Sequence, residues 1–222
     1  QAGIDFEHNS GAFGQKYLPE TMGPGCAFID YNNDGWQDIL LVNGKDWPNH
    51  TTQRRQTMAL YRNNGDSNGD GIPEFIDQTT SAGLDRPFYG LGVAVADYDN
   101  DGDVDLVVCN NDGRPFLLRN EIGNRNNWLQ IKLIGTESNR DAIGAKVRLQ
   151  SGAHGRTQLR EINAGSSYLS FNSLTAEFGL GDDTSVNWVE VIWPGGRVSR
   201  HQNIPINQKV VITEGVSSTE SE

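Results

Sequence analysis

Aspartates recur at alternate positions in two short stretches of this 222-residue chain. The first reads Asp30-x-Asn32-x-Asp34-Gly35-x-x-Asp38 and the second Asp97-x-Asp99-x-Asp101-Gly102-x-x-Asp105. Alternate side chains in a tight loop converge on one point, and calcium takes about six to eight hard oxygen ligands. Positions one, three and five supply carboxylate or amide oxygen, while Gly35 and Gly102 permit the sharp turn. The backbone carbonyls of Trp36 and Asp103 fill the next place, and Asp38 or Asp105 closes the shell. The carboxylates packed between Asp97 and Asp105 repel one another unless a cation sits among them. The pattern therefore predicts calcium at both loops, rather than plain Asp- and Asn-rich turns. Extracellular calcium modules set the expected dissociation constants on the order of 0.1 to 1 mM.

The arrangement is similar to the first half of an EF-hand, with the closing acid three places early and strands where helices would stand. A third stretch, Asp66-x-Asn68-x-Asp70-Gly71-x-x-Glu74, repeats the template with Ile72 at the carbonyl place. Here Asn64-Gly65 and Asn68-Gly69 are also ordinary hairpin-turn formers, so a third metal site and a plain turn both stand open.

These three stretches hold as many carboxylates as the whole net charge of −11, which comes from 29 acidic and 18 basic side chains. Such a surface disfavours nucleic acid and anionic membranes as partners. No apolar run reaches membrane-spanning length, so membrane insertion is not expected. The chain begins at Gln1 rather than Met, which reads as a processed, exported product; a secreted or cell-surface location follows. Asn49-His50-Thr51 beside Pro48 is a glycosylation tripeptide in an expected surface loop. Cys26 and Cys109 are too few for a disulfide scaffold; they read as small buried hydrophobes, with a Cys26–Cys109 bond as the alternative.

Catalytic patterns fare poorly. Gly65-Asp66-Ser67-Asn68-Gly69 matches a nucleophile-elbow string but lacks the preceding buried strand and following helix. His8, His50, His154 and His201 are scattered without ligand spacing. An enzyme is not expected.

The elements that must hold the loops emerge from an internal repeat. Gly25 to Tyr31 aligns with Gly92 to Tyr98, and Asp38 to Asn43 with Asp105 to Asn110, giving strand, acidic loop, strand twice over. Ala59-Leu60-Tyr61-Arg62-Asn63 matches Phe116-Leu117-Leu118-Arg119-Asn120 as a third strand in each copy. Copy one adds Phe75 to Thr79 as a fourth, and copy two has no counterpart. Four antiparallel strands make a propeller blade, so one outer strand is missing.

From Trp128 the pattern becomes strict alternation, with Leu129, Ile131 and Leu133 on one face and Ala145, Val147 and Leu149 on another. Further strands are expected at 158–162, 168–171, 186–193 and 209–213, separated by turn residues. The predicted fold is all-β: two blade-like antiparallel sheets with calcium hairpin loops, then an antiparallel β-sandwich or barrel. The expected division is 1–122, 123–215, and a mobile polar tail over 216–222.

The Asp-Tyr-x-Asn-Asp-Gly hairpins resemble FG-GAP or VCBS repeats of integrin-α-like propellers. The stretch from Ile4 through Gly23 resembles the opening of the cartilage acidic protein family. From about Asn127 to Gly215 the chain resembles an ASPIC/UnbV domain, on Trp128-Leu129, Ile143-Gly144-Ala145, Ala164 to Tyr168, Phe178 to Gly181 and Trp193 to Gly196. The resemblance implies calcium at Asp30, Asn32, Asp34 and Asp38 and at Asp97, Asp99, Asp101, Asp103 and Asp105. It also implies an exported adhesive or matrix role without known chemistry. Such proteins carry enough repeats to close a propeller, whereas two blades cannot form a ring.

An open blade leaves an unpaired strand edge, which proteins cover or pair. The leading expectation is that another copy of the chain, or its N-terminal segment, completes the second blade by strand addition, building a homo-oligomer or filament head to tail. The alternative is a monomeric adhesion module in which exposed Trp47, Trp188 or Trp193 stacks on glycans or meets cell-surface proteins, against a plain core role for those rings.

Overall fold

The computed structural model describes residues 2–111, 113–153, 155–166, 170–216 and 219–221. Gln1, Asp112, His154, Ser167, Tyr168, Leu169, Ser217, Ser218 and Glu222 lie outside the described residues, and with them part of the strand expected at 168–171. The fold is all-β with four sheets among the described residues.

The first sheet runs in chain order through β1 (Cys26–Ile29), β2 (Asp38–Leu41), β3 (Ala59–Asn63) and β4 (Phe75–Asp77), all antiparallel. The second holds β5 (Gly90–Ala96), β6 (Asp105–Asn110) and β7 (Phe116–Leu118). It stops at three strands, as the unequal repeats imply. The two sheets bury one core between them: Ala27, Ile29, Leu40 and Leu60 from the first meet Val93, Val95, Leu106 and Val108 from the second.

Short apolar strands of this kind are apolar on both faces, and only one face of each lies in the shared core. Phe28, Val107 and Leu117 point away from it and are exposed. This corrects the reading of the cysteines. Cys26 and Cys109 sit two residues from Phe28 and Val107, and with a side-chain period of two they share the outward face; both are free and exposed.

The N-terminal segment lies on the first sheet, not the second. Ala2 accepts a hydrogen bond from the Phe75 N–H (2.8 Å) at the outer edge of β4, and the Tyr61 hydroxyl donates to the Asp5 carbonyl (2.7 Å). Within this chain the start of the N-terminal segment is therefore engaged on the first sheet.

The rest of the chain forms a sandwich. One layer is ordered β10 (Arg156–Glu161), β9 (Lys146–Ser151), β12 (Val186–Ile192) and β13 (Val198–His201). The other is ordered β11 (Thr175–Gly181), β8 (Asn127–Ile134), β14 (Lys209–Thr213) and β15 (Thr219–Ser221). Inward positions of both layers, including Leu129, Ile131, Val147, Leu149, Phe178 and Trp193, form its core.

Three points depart from expectation. First, β14 pairs with β8 in parallel, Lys209 opposite Gln130 and Thr213 opposite Ile134, so this layer is mixed. Alternation reports which face a residue takes and carries no information on strand direction. Second, Thr219–Ser221 is not free tail but pairs antiparallel with β14, because backbone pairing requires no apolar side chain. Third, β11, β13 and the short helix α1 (Leu18–Thr21) have no counterpart in the expected elements, and Phe171 lies outside any strand.

Because both thiols face solvent, an alkylating reagent applied to the native, unreduced protein should add two labels by intact mass. Protection of either cysteine would contradict the outward-facing register.

Candidate metal centre

Loop one joins β1 to β2, and its shape is set by two left-handed residues, Asn33 (φ 53°) and Gly35 (φ 85°). The Asp30 carboxylate accepts the N–H groups of Asp34 (3.0 Å) and Gly35 (2.9 Å). Asp34 accepts from the Trp36 N–H (2.9 Å) and the Asn32 amide (2.8 Å). Asp38 accepts from Tyr31 N–H (3.2 Å) across the hairpin and Asn63 N–H (2.8 Å) from β3.

Loop two, between β5 and β6, repeats these backbone-to-carboxylate bonds, with Asp99 in place of Asn32 and so no matching amide donor. Asn100 (φ 60°) and Gly102 (φ 98°) take the left-handed places. Asp97 accepts from Asp101 N–H (3.2 Å) and Gly102 N–H (3.1 Å), Asp101 from Asp103 N–H (3.2 Å), and Asp105 from Tyr98 N–H (3.1 Å) and Asn120 N–H (2.8 Å). Asn63 and Asn120 occupy matching places in the repeat, and that match is the sequence signal for their shared anchoring of Asp38 and Asp105.

The third loop folds the same way, with Gly69 (φ 76°) and Gly71 (φ 83°) left-handed. Gly71 N–H donates to Asp66 (2.9 Å), Asp70 N–H to Asn68 (3.0 Å) and Ile72 N–H to Asp70 (2.8 Å). Its environment differs: Asp66, Asn68, Asp70 and Ile72 are exposed, and Glu74 accepts a short hydrogen bond from the Ser67 hydroxyl. Ser67 thus belongs to an acidic turn, not to a strand-to-helix elbow.

Burial separates the first two loops from the third. Asp38 and Asp103 are fully inaccessible, and Asp30 and Asp105 nearly so. Burial, and then the charge of Asp34, pushes Asp30 up to about 7. Burial, with the charges of Asp30 and Asp34 adding to it, pushes Asp38 up to about 8. Asp103 rises to about 8 through burial and the adjoining Asp101 carboxylate, and burial raises Asp105 as well.

In loop two, carboxylate oxygens of Asp97, Asp99 and Asp105 all lie within 4.8 Å of one another. Asp99 Oδ1, Asp101 Oδ2 and Asp103 Oδ1 are buried without a hydrogen-bond partner. Arg119 supplies the local positive charge, with Nε 2.8 Å from Asp99 and a guanidinium nitrogen 3.7 Å from Asp101. An all-oxygen donor set with orphaned buried oxygens fits a hard divalent cation such as calcium. The Asp103 side chain has a place of its own beyond its carbonyl, since Asp103 Oδ2 accepts the Asn124 N–H (3.1 Å).

The remaining expected residues are dispersed. Asn49 is exposed in the turn closed by the Trp47–His50 bridge. Trp193 is buried in the sandwich core, and Trp188 is half-buried with Arg200 4.5 Å over its ring. Trp47 is half-buried between Tyr17 and Tyr89. No helix among the described residues is long and apolar enough to cross a membrane.

Residues 30–108 match the FG-GAP-like repeat family model and residues 135–219 the ASPIC and UnbV model. Human cartilage acidic protein 1 is 33% identical over 179 residues, and the mouse protein of the same name 40% over 175 residues. These alignments cover 78% and 76% of this chain. The Xenopus tropicalis relative is 39% identical over 115 residues, 49% of this chain and 17% of its own length. The chain spans only 25% of the human and mouse relatives.

A carboxylate raised by burial binds its proton more tightly in the folded than in the unfolded chain. Its contribution is therefore lost as pH climbs from the ordinary carboxylate range, about 4, toward the folded value. In chelator, the thermal midpoint should fall between about pH 5 and pH 8, the window set by Asp30, Asp38 and Asp103. A midpoint that rises across that window would contradict the burial of these groups.

Proposed function

We propose that this chain, an FG-GAP-like repeat region joined to an ASPIC/UnbV region, is a non-enzymatic, calcium-binding structural module of the extracellular space. The observation that carries the reading is the buried acidic centre of loop two, whose clustered carboxylates include oxygens with no partner. Asp30, Asn32, Asp34 and Asp38 with the Trp36 carbonyl would hold one ion. Asp97, Asp99, Asp101 and Asp105 with the Asp103 carbonyl would hold the other. The ion supplies charge neutralisation and cross-links the two strands of each hairpin, which is stiffening and not catalysis. The extracellular assignment draws support from the relatives named for cartilage.

Calcium titration calorimetry should give a stoichiometry near two, since the third loop is exposed and its Glu74 is engaged by Ser67. A value near three would add Asp66, Asn68, Asp70, Ile72 and Glu74 as a site, and no binding heat would defeat the reading. Asp101→Ala should lower the thermal midpoint in calcium and hardly change it in chelator, because a ligand stabilises only the state that binds it. Equal loss in both conditions would contradict the assignment.

The partner we propose is a second copy of the chain. Within the second sheet β7 has a neighbour on one side only, and Leu117 on it is half exposed. An edge of this kind accepts a further strand, and a head-to-tail contact that does not close grows into a filament. Sedimentation in calcium should shift to larger species as wild-type protein is concentrated, and Leu117→Lys should abolish the shift. Compact monomers for the wild type at every concentration would remove the second copy as partner.

A further inference from the structure

The two buried loops do not end at the blades; they are roofed by the sandwich. Asn33, the left-handed residue of loop one, ties three segments together. Its amide donates to the Gly102 carbonyl (3.0 Å) of loop two and to the Gly123 carbonyl (3.1 Å) in the turn before β8. Its own carbonyl accepts the Gly181 N–H (2.8 Å) at the end of β11. Asn126 donates to the Asn32 carbonyl (2.8 Å), and Arg156 of β10 to the Asp34 carbonyl (2.6 Å). On loop two, Gln130 of β8 is 95% buried and donates its amide to Asp97 Oδ2 at 2.6 Å. β5 is gripped as well, since Ser173 N–H donates to Val95 O (2.8 Å) and Val95 N–H to the Asn172 side chain (3.1 Å).

Contact at this seam is close enough to exclude side chains. A Cβ on Gly179 of β11 would stand 2.3 Å from Asp30 Oδ2 and 2.4 Å from the Asn33 Cα. One on Gly102 would stand 2.1 Å from the Trp128 ring, and one on Gly123 2.5 Å from Asp103 Cβ. The sandwich side therefore closes directly on Asp30, Asp97 and Asp103, and docking brings like charges out of water.

We propose that cation binding at loops one and two and docking of the sandwich on the blades are one coupled equilibrium, with Gln130 as the positioning residue that orients Asp97. This rests on the calcium reading above. A cation offsets the repulsion that docking creates, and the docked sandwich fixes the ligands that the cation needs. By linkage each must strengthen the other by the same factor. Partners behind the ligands of a metal site typically change affinity by about ten- to a hundredfold when removed.

The test uses the full chain with calcium alone as the probe, read by hydrogen exchange and calorimetry. In the wild type, calcium should slow exchange of amides in β8 and β11 and at Gly181, none of which belongs to either loop. Gln130→Leu and Gly179→Ala change no carboxylate, and each should weaken calcium binding at least about tenfold. Each should also shrink the rise in thermal midpoint that calcium confers. A merely structural role would lower the midpoints in calcium and chelator equally.

The wild-type exchange arm requires no variant and decides the matter if either variant misfolds. Calcium binding with unchanged β8 and β11 protection would overturn the coupling while leaving the metal sites standing. Wild-type affinity in both variants would do the same. Absence of calcium binding to the wild type would instead sink the reading on which the coupling rests.

Discussion

The fold turns on how much negative charge can be removed from water at one place. Two unit charges a few ångströms apart repel weakly in bulk water and several times more strongly in a protein environment. Loops one and two concentrate carboxylates at that spacing and then cover them. Backbone N–H groups absorb part of the cost: Asp38 and Asp105 each accept two, one from their own hairpin and one from Asn63 at the end of β3 or Asn120 just beyond β7. Hydrogen bonds to the ionised form stabilise it, yet they fall short here, since burial still raises Asp30, Asp38, Asp103 and Asp105. The unmet remainder is what a divalent ion would supply.

The same loops explain why two incomplete units hold together. Each blade has two apolar faces but only one packed on the other, so the blades cannot hide all their surface from each other. The sandwich closes on its own core and is joined to the blades by polar and backbone contacts rather than by a continuous apolar layer. Hydrogen bonds of this kind each contribute about 1 kcal/mol net, and their value depends on exact placement of loop carbonyls. Rigid loops are thus a condition for the joint and not only its product.

Much of this was legible in the sequence, and for definite reasons. The acidic loops announced themselves because ligand spacing is a local property written twice, and the missing strand of the second sheet followed from comparing the copies. What escaped was non-local. Gln130 reads as one polar position in an alternating strand, and nothing near it points to Asp97. Arg119 and Asn120 were placed on a strand without their contacts to loop two being foreseen. The parallel pairing of β14 with β8 and the pairing of Thr219–Ser221 depend on chain path, which alternation does not encode. An apolar run does not say which of its residues face outward, and in an open blade Cys26 and Cys109 take the exposed face.

The third loop separates turn chemistry from burial. It has left-handed residues at the same two places and several of the same turn bonds as loop one, down to Asn68 donating to Asp70 (3.2 Å) as Asn32 does to Asp34. The turn geometry therefore recurs without a neighbouring sheet over it. Loop three nonetheless stays in solvent, where its charges are screened within about 10 Å and side-chain oxygens retain water. Loops one and two differ in being roofed by β8, β10 and β11. With similar turns and opposite burial, any demand for a cation would arise from the sandwich above the loops, and the turn motif would provide only the oxygens with which to meet it.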